Sequence, residues 1–361
     1  MTPRERNQPL KGRGALSNPT GRFERRRREA VDDGWYREEV PDFIPTSVEP
    51  DRARAVITRN ESPDIPFEQS INPYRGCSHG CVYCYARPSH SYVGLSPGLD
   101  FETKLLYKRD AGKVLEEELA KPGYVCKPIT LGANTDPYQP IERDMRVTRE
   151  ILEVLARCRH PVTVITKGAL VLRDLDLLAD LAGDGLAGVG ISITTLDASL
   201  KRAMEPQAAS PRARLEAVRR LNEAGIPTGV LVAPVIPALT DHEMEAILEA
   251  SAAAGARWAG YVLLRLPYEV KDLFREWLAA HLPDSADHVM SLVRQMRGGK
   301  DYDSSFGTRM RGTGPLAELL RNRFQIACRR LGLGSGRQQP PNTGLFRPPK
   351  VRSGPQLSLD L

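Results

Sequence analysis

The chain has 361 residues, 41% of them hydrophobic and six of them cysteine, and a formal net charge of +6 with a sequence pI near 9.0. That length carries a sizeable core, as two ordinary domains or as one barrel-like domain with extensions. No run approaches the ~18 apolar residues of a membrane span, and the basic N-terminus has no apolar stretch of a secretory signal, which makes the cytoplasm the expected compartment and a membrane partner unexpected.

In chain order, the first segment is basic. Met1–Ala30 holds nine Lys/Arg against three Glu, as large an excess as the whole chain carries. With no sustained apolar period, residues 1–55 read as a mostly disordered arm, either a solvated tail or a means of touching nucleic acid or another polyanion. The ordered body then divides into an α/β region over residues 58–266 and a helical extension over 267–334. A Pro/Gly-rich tail, 335–361, is expected to be poorly ordered, with Leu345-Phe346 as a docking point.

Within the body, β-branched runs alternate with amphipathic helical stretches. The expected strands are Phe67–Ile71, Lys127–Leu131, Pro161–Thr166, Gly188–Thr194, Pro227–Val232 and Trp258–Leu264. Between them, Val147, Ile151, Val154 and Leu155 fall on one helical face, and Met244, Ile247, Leu248 and Ser251 repeat the pattern. Such alternation predicts a parallel sheet with right-handed crossovers. Six units suit an open, partial (βα)6 barrel with a C-terminal helical extension and disordered termini. Chemistry in barrels sits at the C-terminal ends of the strands.

The first such end carries Asn72-Pro73-Tyr74-Arg75-Gly76-Cys77-Ser78-His79-Gly80-Cys81-Val82-Tyr83-Cys84-Tyr85. Three cysteines within eight residues of a chain without an export signal favour metal or redox chemistry over disulfides. Thiolates suit an iron–sulfur cluster or zinc. Three ligands on a four-iron cube leave one iron open, as a catalytic metal requires, and Gly76 and Gly80 allow close wrapping. Zinc completed by His79 or His90 is the competing reading, making a structural, nucleic-acid-binding module.

C-x3-C-x-aromatic-C after a first strand resembles the signature of the radical S-adenosylmethionine (SAM) superfamily, over roughly Asn72 to Leu266. Within it the chain is most similar to the branch containing spore photoproduct lyase. The shared features are Tyr83-Cys84-Tyr85, Thr135-Asp136, Thr166-Lys167, Ser192, Glu205-Pro206 with Ser210-Pro211 and Arg214, and Val232-Ala233-Pro234. The resemblance implies a [4Fe–4S] cluster on Cys77, Cys81 and Cys84, and SAM chelating the open iron. It also implies an electron donor of flavodoxin or ferredoxin type, and reductive cleavage of SAM to a 5′-deoxyadenosyl radical that takes hydrogen from substrate. By analogy Asn134, Thr135 and Asp136 would accept from the SAM ammonium, although Asn-Thr-Asp-Pro is also good turn chemistry. Lys167 would pair with the SAM carboxylate, Ser192 or Thr194 would bind the ribose, and Ala233 would line the adenine pocket. Glu205 and Arg214 suit a structural ion pair as well as a catalytic role.

The lyase carries a cysteine hydrogen donor in the turn after its second strand, where this chain has Ala133, so that quenching step is not copied. Tyr83 and Tyr85, flanking the cluster, are the remaining hydrogen-atom relays, or else packing. Cys158 and Cys328 read as core, and Cys126 lies at the wrong end of a barrel. Trp258, Trp277 and Tyr268 read as core. Beyond the barrel, the Gly-rich loop Gly307–Gly314 leads into a helix, where Arg309 and Arg311 are expected to hold an anionic substrate. The expected substrate is a nucleic acid or nucleotide, as in a DNA-repair-type lyase; a small molecule or protein side chain is the alternative.

Overall fold

The computed structural model describes residues 9–24, 44–335 and 342–350. Six parallel strands frame it: β1 (Gln69–Ile71), β2 (Ile129–Leu131), β3 (Val162–Thr166), β4 (Ala187–Ser192), β5 (Thr228–Val235) and β6 (Trp258–Leu263). They lie side by side in chain order, each at the stretch expected for it and differing only at the ends. Helices Val147–Arg157, Leu175–Gly183, Pro211–Glu223 and Met244–Ala253 make the crossovers from β2 to β6. Val147, Ile151, Val154 and Leu155 are buried against the sheet, as are Met244, Ile247 and Leu248. β4 is buried at every residue, because a central parallel strand is covered on both faces.

Short strands add to this frame. Ile57–Arg59 pairs antiparallel with β1, and Gly334–Ser335 pairs with β6. Ser47–Asp51, Lys104–Lys108 and Tyr74–Arg75 form a separate three-stranded sheet. Elements of two to five residues carry too little periodicity to be read from one sequence.

One expectation for the chain ends is corrected. Residues 9–24, read as part of a disordered arm, are packed against the loop that carries the cysteines, with Ala15 fully buried and Leu10, Arg13 and Leu16 nearly so. The Gly14 and Ala15 N–H groups donate to the buried Glu102 carboxylate at 2.9 and 2.8 Å. Polar and charged composition hid this because the segment's order comes from partners some 90 positions away, not from its own periodicity. Residues 1–8 and 25–43 lie outside the described residues, as do 336–341 and 351–361 of the tail. Phe346 does dock, at 5.3 Å from His160 and 5.5 Å from Tyr124 between ring centroids, while the Arg347 N–H donates to the Cys158 carbonyl.

After β6, helices Val270–His281, Pro283–Gln295 and Gly314–Leu331 follow. The first drives Phe274 and Trp277 into a second core with Val82, Met204, Ile236 and Leu264, so this helix supports the cysteine loop from beneath. Trp277 is fully buried, and its indole N–H donates to the Ala203 carbonyl at 3.1 Å. Tyr268 is not core: it is 62% exposed, with the Arg22 guanidinium 3.8 Å from its ring centroid. Cys158 and Cys328 are buried in the main core. No helix among the described residues is long and apolar enough to cross a membrane.

Candidate functional site

The cysteine loop leaves the C-terminal end of β1 and is held from several sides. Its Cys77 N–H donates to the Phe101 carbonyl at 2.8 Å, Val82 N–H to Met204 at 3.1 Å, and Gln207 N–H to His79 at 3.2 Å. The fully buried Gln139 accepts from Ser78 N–H at 2.9 Å and donates to the Gly76 carbonyl at 3.2 Å. Gly76 and Gly80 adopt φ of +75° and +69°, which a side chain would strain.

Arg87 is the hub beneath the loop. Fully buried, it donates to the carbonyls of Cys81 at 3.0 Å and Gly98 at 2.9 Å and pairs with the equally buried Glu102. Glu102 in turn holds the N-terminal strap at Gly14 and Ala15. The approach is close: a Cβ on Gly14 would sit 1.8 Å from the Gly80 carbonyl oxygen.

All six cysteines are free. Burial raises the thiol pKa of Cys77 well above the ordinary range, with Asp136 and the other two loop thiols adding to it. Burial and Glu205 push Cys81 up to about 12, and burial also raises Cys84. Two buried thiols and one half-buried thiol thus stand in one another's field on a single loop, and thiolates are the ligands that iron–sulfur clusters take. The donor set therefore fits an iron–sulfur cluster. Among the described residues no three His, Cys, Asp or Glu side chains converge enough to hold one metal ion; thiolates that each take a different iron need not converge. His79 faces Asp136 at 3.3 Å, and His90 packs edge-on to Phe101.

Opposite the loop, the turn after β2 is tightly tied. Asn134 N–H donates to Asn72 at 2.8 Å and its amide nitrogen to Ser89 at 3.2 Å. The Thr135 hydroxyl donates to the Tyr74 carbonyl at 2.7 Å. One Asp136 oxygen accepts from Tyr138 N–H and the Thr166 hydroxyl, the other from Lys167 N–H and His79. Burial opposes the charge, but His79 and these donors hold Asp136 at about 2. Thr135 and Asp136 thus spend their side chains inside the protein. Lys167, at the end of β3, lies with its ammonium 5.8 Å from the Tyr83 ring centroid, and its charge reaches Cys81, Cys84 and Glu205.

The buried Glu205–Arg214 pair accepts the Tyr83 hydroxyl on Glu205. Tyr83 also lies 3.2 Å from the Thr194 hydroxyl, which donates to the Ala233 carbonyl at 3.1 Å. Arg214 donates to the Ser192 carbonyl at 3.0 Å. Tyr83, Thr194, Ala233, Glu205 and Arg214 are therefore one buried network spanning the ends of β4 and β5. Tyr85 differs: it is 45% exposed and its hydroxyl donates to the Ala133 carbonyl, at the turn that follows β2.

The two arginines expected to take substrate do not gather here. Arg309 is spent on Asp64, at 2.5 and 2.7 Å, and on Ser62, a bridge between the loop before β1 and the loop after the helix Pro283–Gln295. Arg311 borders a surface recess with Gly312, Thr313, Gly314, Ala317, Glu318 and Arg321, which contains none of the cysteine-loop residues. Sequence reasoning missed Arg87, Glu102, Gln139 and Arg265. None belongs to a spaced motif, and each matters through a partner distant in sequence.

Comparison with known proteins agrees with this geometry. The family described as "Radical SAM superfamily" matches residues 71–250. An uncharacterised protein of Mycobacterium tuberculosis is 36% identical over 283 residues, covering 77% of this chain and 79% of its own length. One of Methanocaldococcus jannaschii is 32% identical over 176 residues, covering 48% of this chain and 62% of its own. Among solved structures, a spore photoproduct lyase variant superposes with a TM-score of 0.58 at 16% identity, covering 80% of this chain and 81% of that one. The lyase complexed with dinucleoside spore photoproduct gives a TM-score of 0.57 at the same identity, over 80% and 81% of the two chains.

Proposed function

Because this chain belongs to the radical SAM superfamily, we propose that Cys77, Cys81 and Cys84 hold a [4Fe–4S] cluster that, with SAM, removes a hydrogen atom from a substrate at the barrel mouth. The observation that carries this reading is the set of three free thiols, two buried and one half-buried, spaced C-x3-C-x2-C on a glycine-hinged loop at the end of β1. When bound and reduced by one electron from a flavodoxin- or ferredoxin-type donor, the cluster and SAM supply hydrogen-abstracting chemistry, leaving methionine and 5′-deoxyadenosine.

The chain's own residues bind, orient and exclude water. Lys167 offers a cation to the SAM carboxylate. The Asn134 amide oxygen has no partner among the described residues and, with backbone carbonyls of its turn, suits the ammonium; Thr135 and Asp136 hold that turn in shape. The Ser192 hydroxyl is likewise unengaged and suits a ribose hydroxyl, whereas Thr194 positions Tyr83 and the Ala233 backbone beside the adenine pocket. Tyr85, placed at the Ala133 turn where the lyase-like branch carries its thiol, is the hydrogen-atom relay we favour over the enclosed Tyr83. A nucleic acid or nucleotide is the favoured substrate, supported by the pI near 9.0 and the Arg-rich N-terminus, which offers polyanion contacts.

Anaerobic reconstitution tests the core of this reading. The parent should bind about four irons and, once reduced, form 5′-deoxyadenosine from SAM. Cys77→Ala, Cys81→Ala and Cys84→Ala should each abolish both. Stoichiometric zinc without iron would sink it. Transfer of deuterium from labelled oligonucleotides to 5′-deoxyadenosine separates the nucleic-acid substrate from other classes.

A further inference from the structure

Arg265 lies just beyond β6, at the strand end where barrel chemistry gathers. Its guanidinium stands 5.1 Å from the centroid of the half-exposed Tyr85 ring, next to Cys84. Its hydrogen bonds are long and go to neutral groups: 3.5 Å to the Met310 sulfur and 3.4 Å to the Tyr302 hydroxyl. Its Nε is buried with no acceptor. No described carboxylate pairs with it, although nearly every other buried or half-buried arginine of the site has one or is ringed by carbonyls.

A second cation stands behind it. Arg297, 3% exposed, donates to the carbonyls of Thr308 at 3.0 Å and Leu264 at 2.8 Å. Burial and the neighbouring Arg265 charge both press its pKa down, against a weaker pull from Asp303. The Asp303 carboxylate is itself engaged by Ser305 N–H at 3.0 Å and the Thr308 hydroxyl at 2.6 Å. The end of β6 thus gathers two guanidiniums with no ion-paired carboxylate among the described residues, and a buried, unsatisfied guanidinium donor calls for a partner.

We propose that Arg265 is the substrate anchor of this enzyme, its planar fork binding an oxyanion, carboxylate or phosphate, of the molecule that Tyr85 faces. The role expected of Arg309 and Arg311 thereby passes to an arginine that no motif singled out. Two donors in one plane match an oxyanion, which a lysine would meet only as a point charge. The proposal rests on the radical SAM reading, which places the reacting hydrogen near Tyr85.

The test is calorimetric titration of the reconstituted full-length protein, with SAM bound, using inorganic phosphate and, separately, acetate. The parent should bind at least one of them, and Arg265→Gln should weaken that binding about tenfold or more. Arg265→Lys should fall between the two, and Tyr302→Phe, which removes only a long neutral contact, should stay near the parent. Preference for phosphate would indicate a phosphate-bearing substrate, and preference for acetate a carboxylate. Iron content and circular dichroism establish that each variant is folded. Equal anion affinity in parent and Arg265→Gln overturns the proposal, as does no anion binding by the parent. So does an Arg265→Gln variant that loses SAM affinity about tenfold while keeping the anion, since the guanidinium would then serve SAM. A parent that forms no 5′-deoxyadenosine defeats the radical reading instead, and leaves the anion titrations interpretable by themselves.

Discussion

The two tyrosines that flank Cys84 look equivalent in sequence and are opposite in setting. Tyr83 is buried with its hydroxyl on Glu205, inside a network that contains the Glu205–Arg214 ion pair. Burial, then Glu205, raises its pKa well above the phenol range. Tyr83→Phe should cost ~1–3 kcal/mol, because it removes a donor from a buried carboxylate. Tyr85 is half-exposed, and its loss should cost less than ~1 kcal/mol. Thermal melts of the two variants should therefore differ clearly, with only Tyr83→Phe lowered. Equal melting temperatures would show that the Glu205 network does not bear on stability.

Among the elements, the strap of residues 9–24 changes the account of the N-terminus most. Its order depends on Gly14 lying against Gly80, on two N–H groups reaching Glu102, and on Arg13 bonding to the Glu102 carbonyl and the Thr46 hydroxyl. Gly14→Ala cannot be accommodated without moving the strap or the Gly80 peptide, since the neighbouring atom is backbone. We expect Gly14→Ala, and deletion of residues 1–24, to lower the melting temperature and to speed loss of iron in air, because the strap backs the loop that carries the cysteines. Glu102→Gln should be more severe, about 3–5 kcal/mol, since it strands the Arg87 charge in the interior. Iron content and melting temperature unaltered by the deletion would return the strap to the status of a passive tail.

At the scale of the whole molecule, the C-terminal segment folds back to the base of the barrel, where Phe346 meets Tyr124 and the fully buried His160. His160 bonds to the Tyr124 hydroxyl at 2.9 Å and to the Pro161 carbonyl at 3.1 Å. Burial lowers its pKa from 6.5 to about 4, the Pro161 carbonyl opposing weakly. A depressed histidine is neutral when folded and protonated when unfolded between those values, so stability should be constant above about pH 6.5 and fall as pH drops toward 4. The loss attributable to this group is at most about 3 kcal/mol. Melts from pH 8 to pH 5 should show that decline in the parent and a shallower one in His160→Gln. Parallel curves would remove His160 as the titrating group.

How much of this was legible beforehand follows from the range of the interactions concerned. Strand and helix order, the open six-unit barrel and the cysteine loop are written in local periods and spacings, because burial of one face and the grouping of thiols on one loop both impose short-range patterns on the chain. Cys77, Cys81 and Cys84 therefore stood out without coordinates, as did the apolar face of Val147–Arg157. The state of each polar side chain is set by what comes to meet it. Asp136 and Arg309 look free in sequence, yet His79 and Asp64 consume them; Arg265 looks ordinary, yet it ends without a counter-ion beside Tyr85. Residues 9–24 have no apolar rhythm and are ordered by Glu102. By itself the sequence determined the fold and the cysteine loop. The tertiary structure alone decided which charges remain uncompensated, because that depends on pairings between residues tens to hundreds of positions apart.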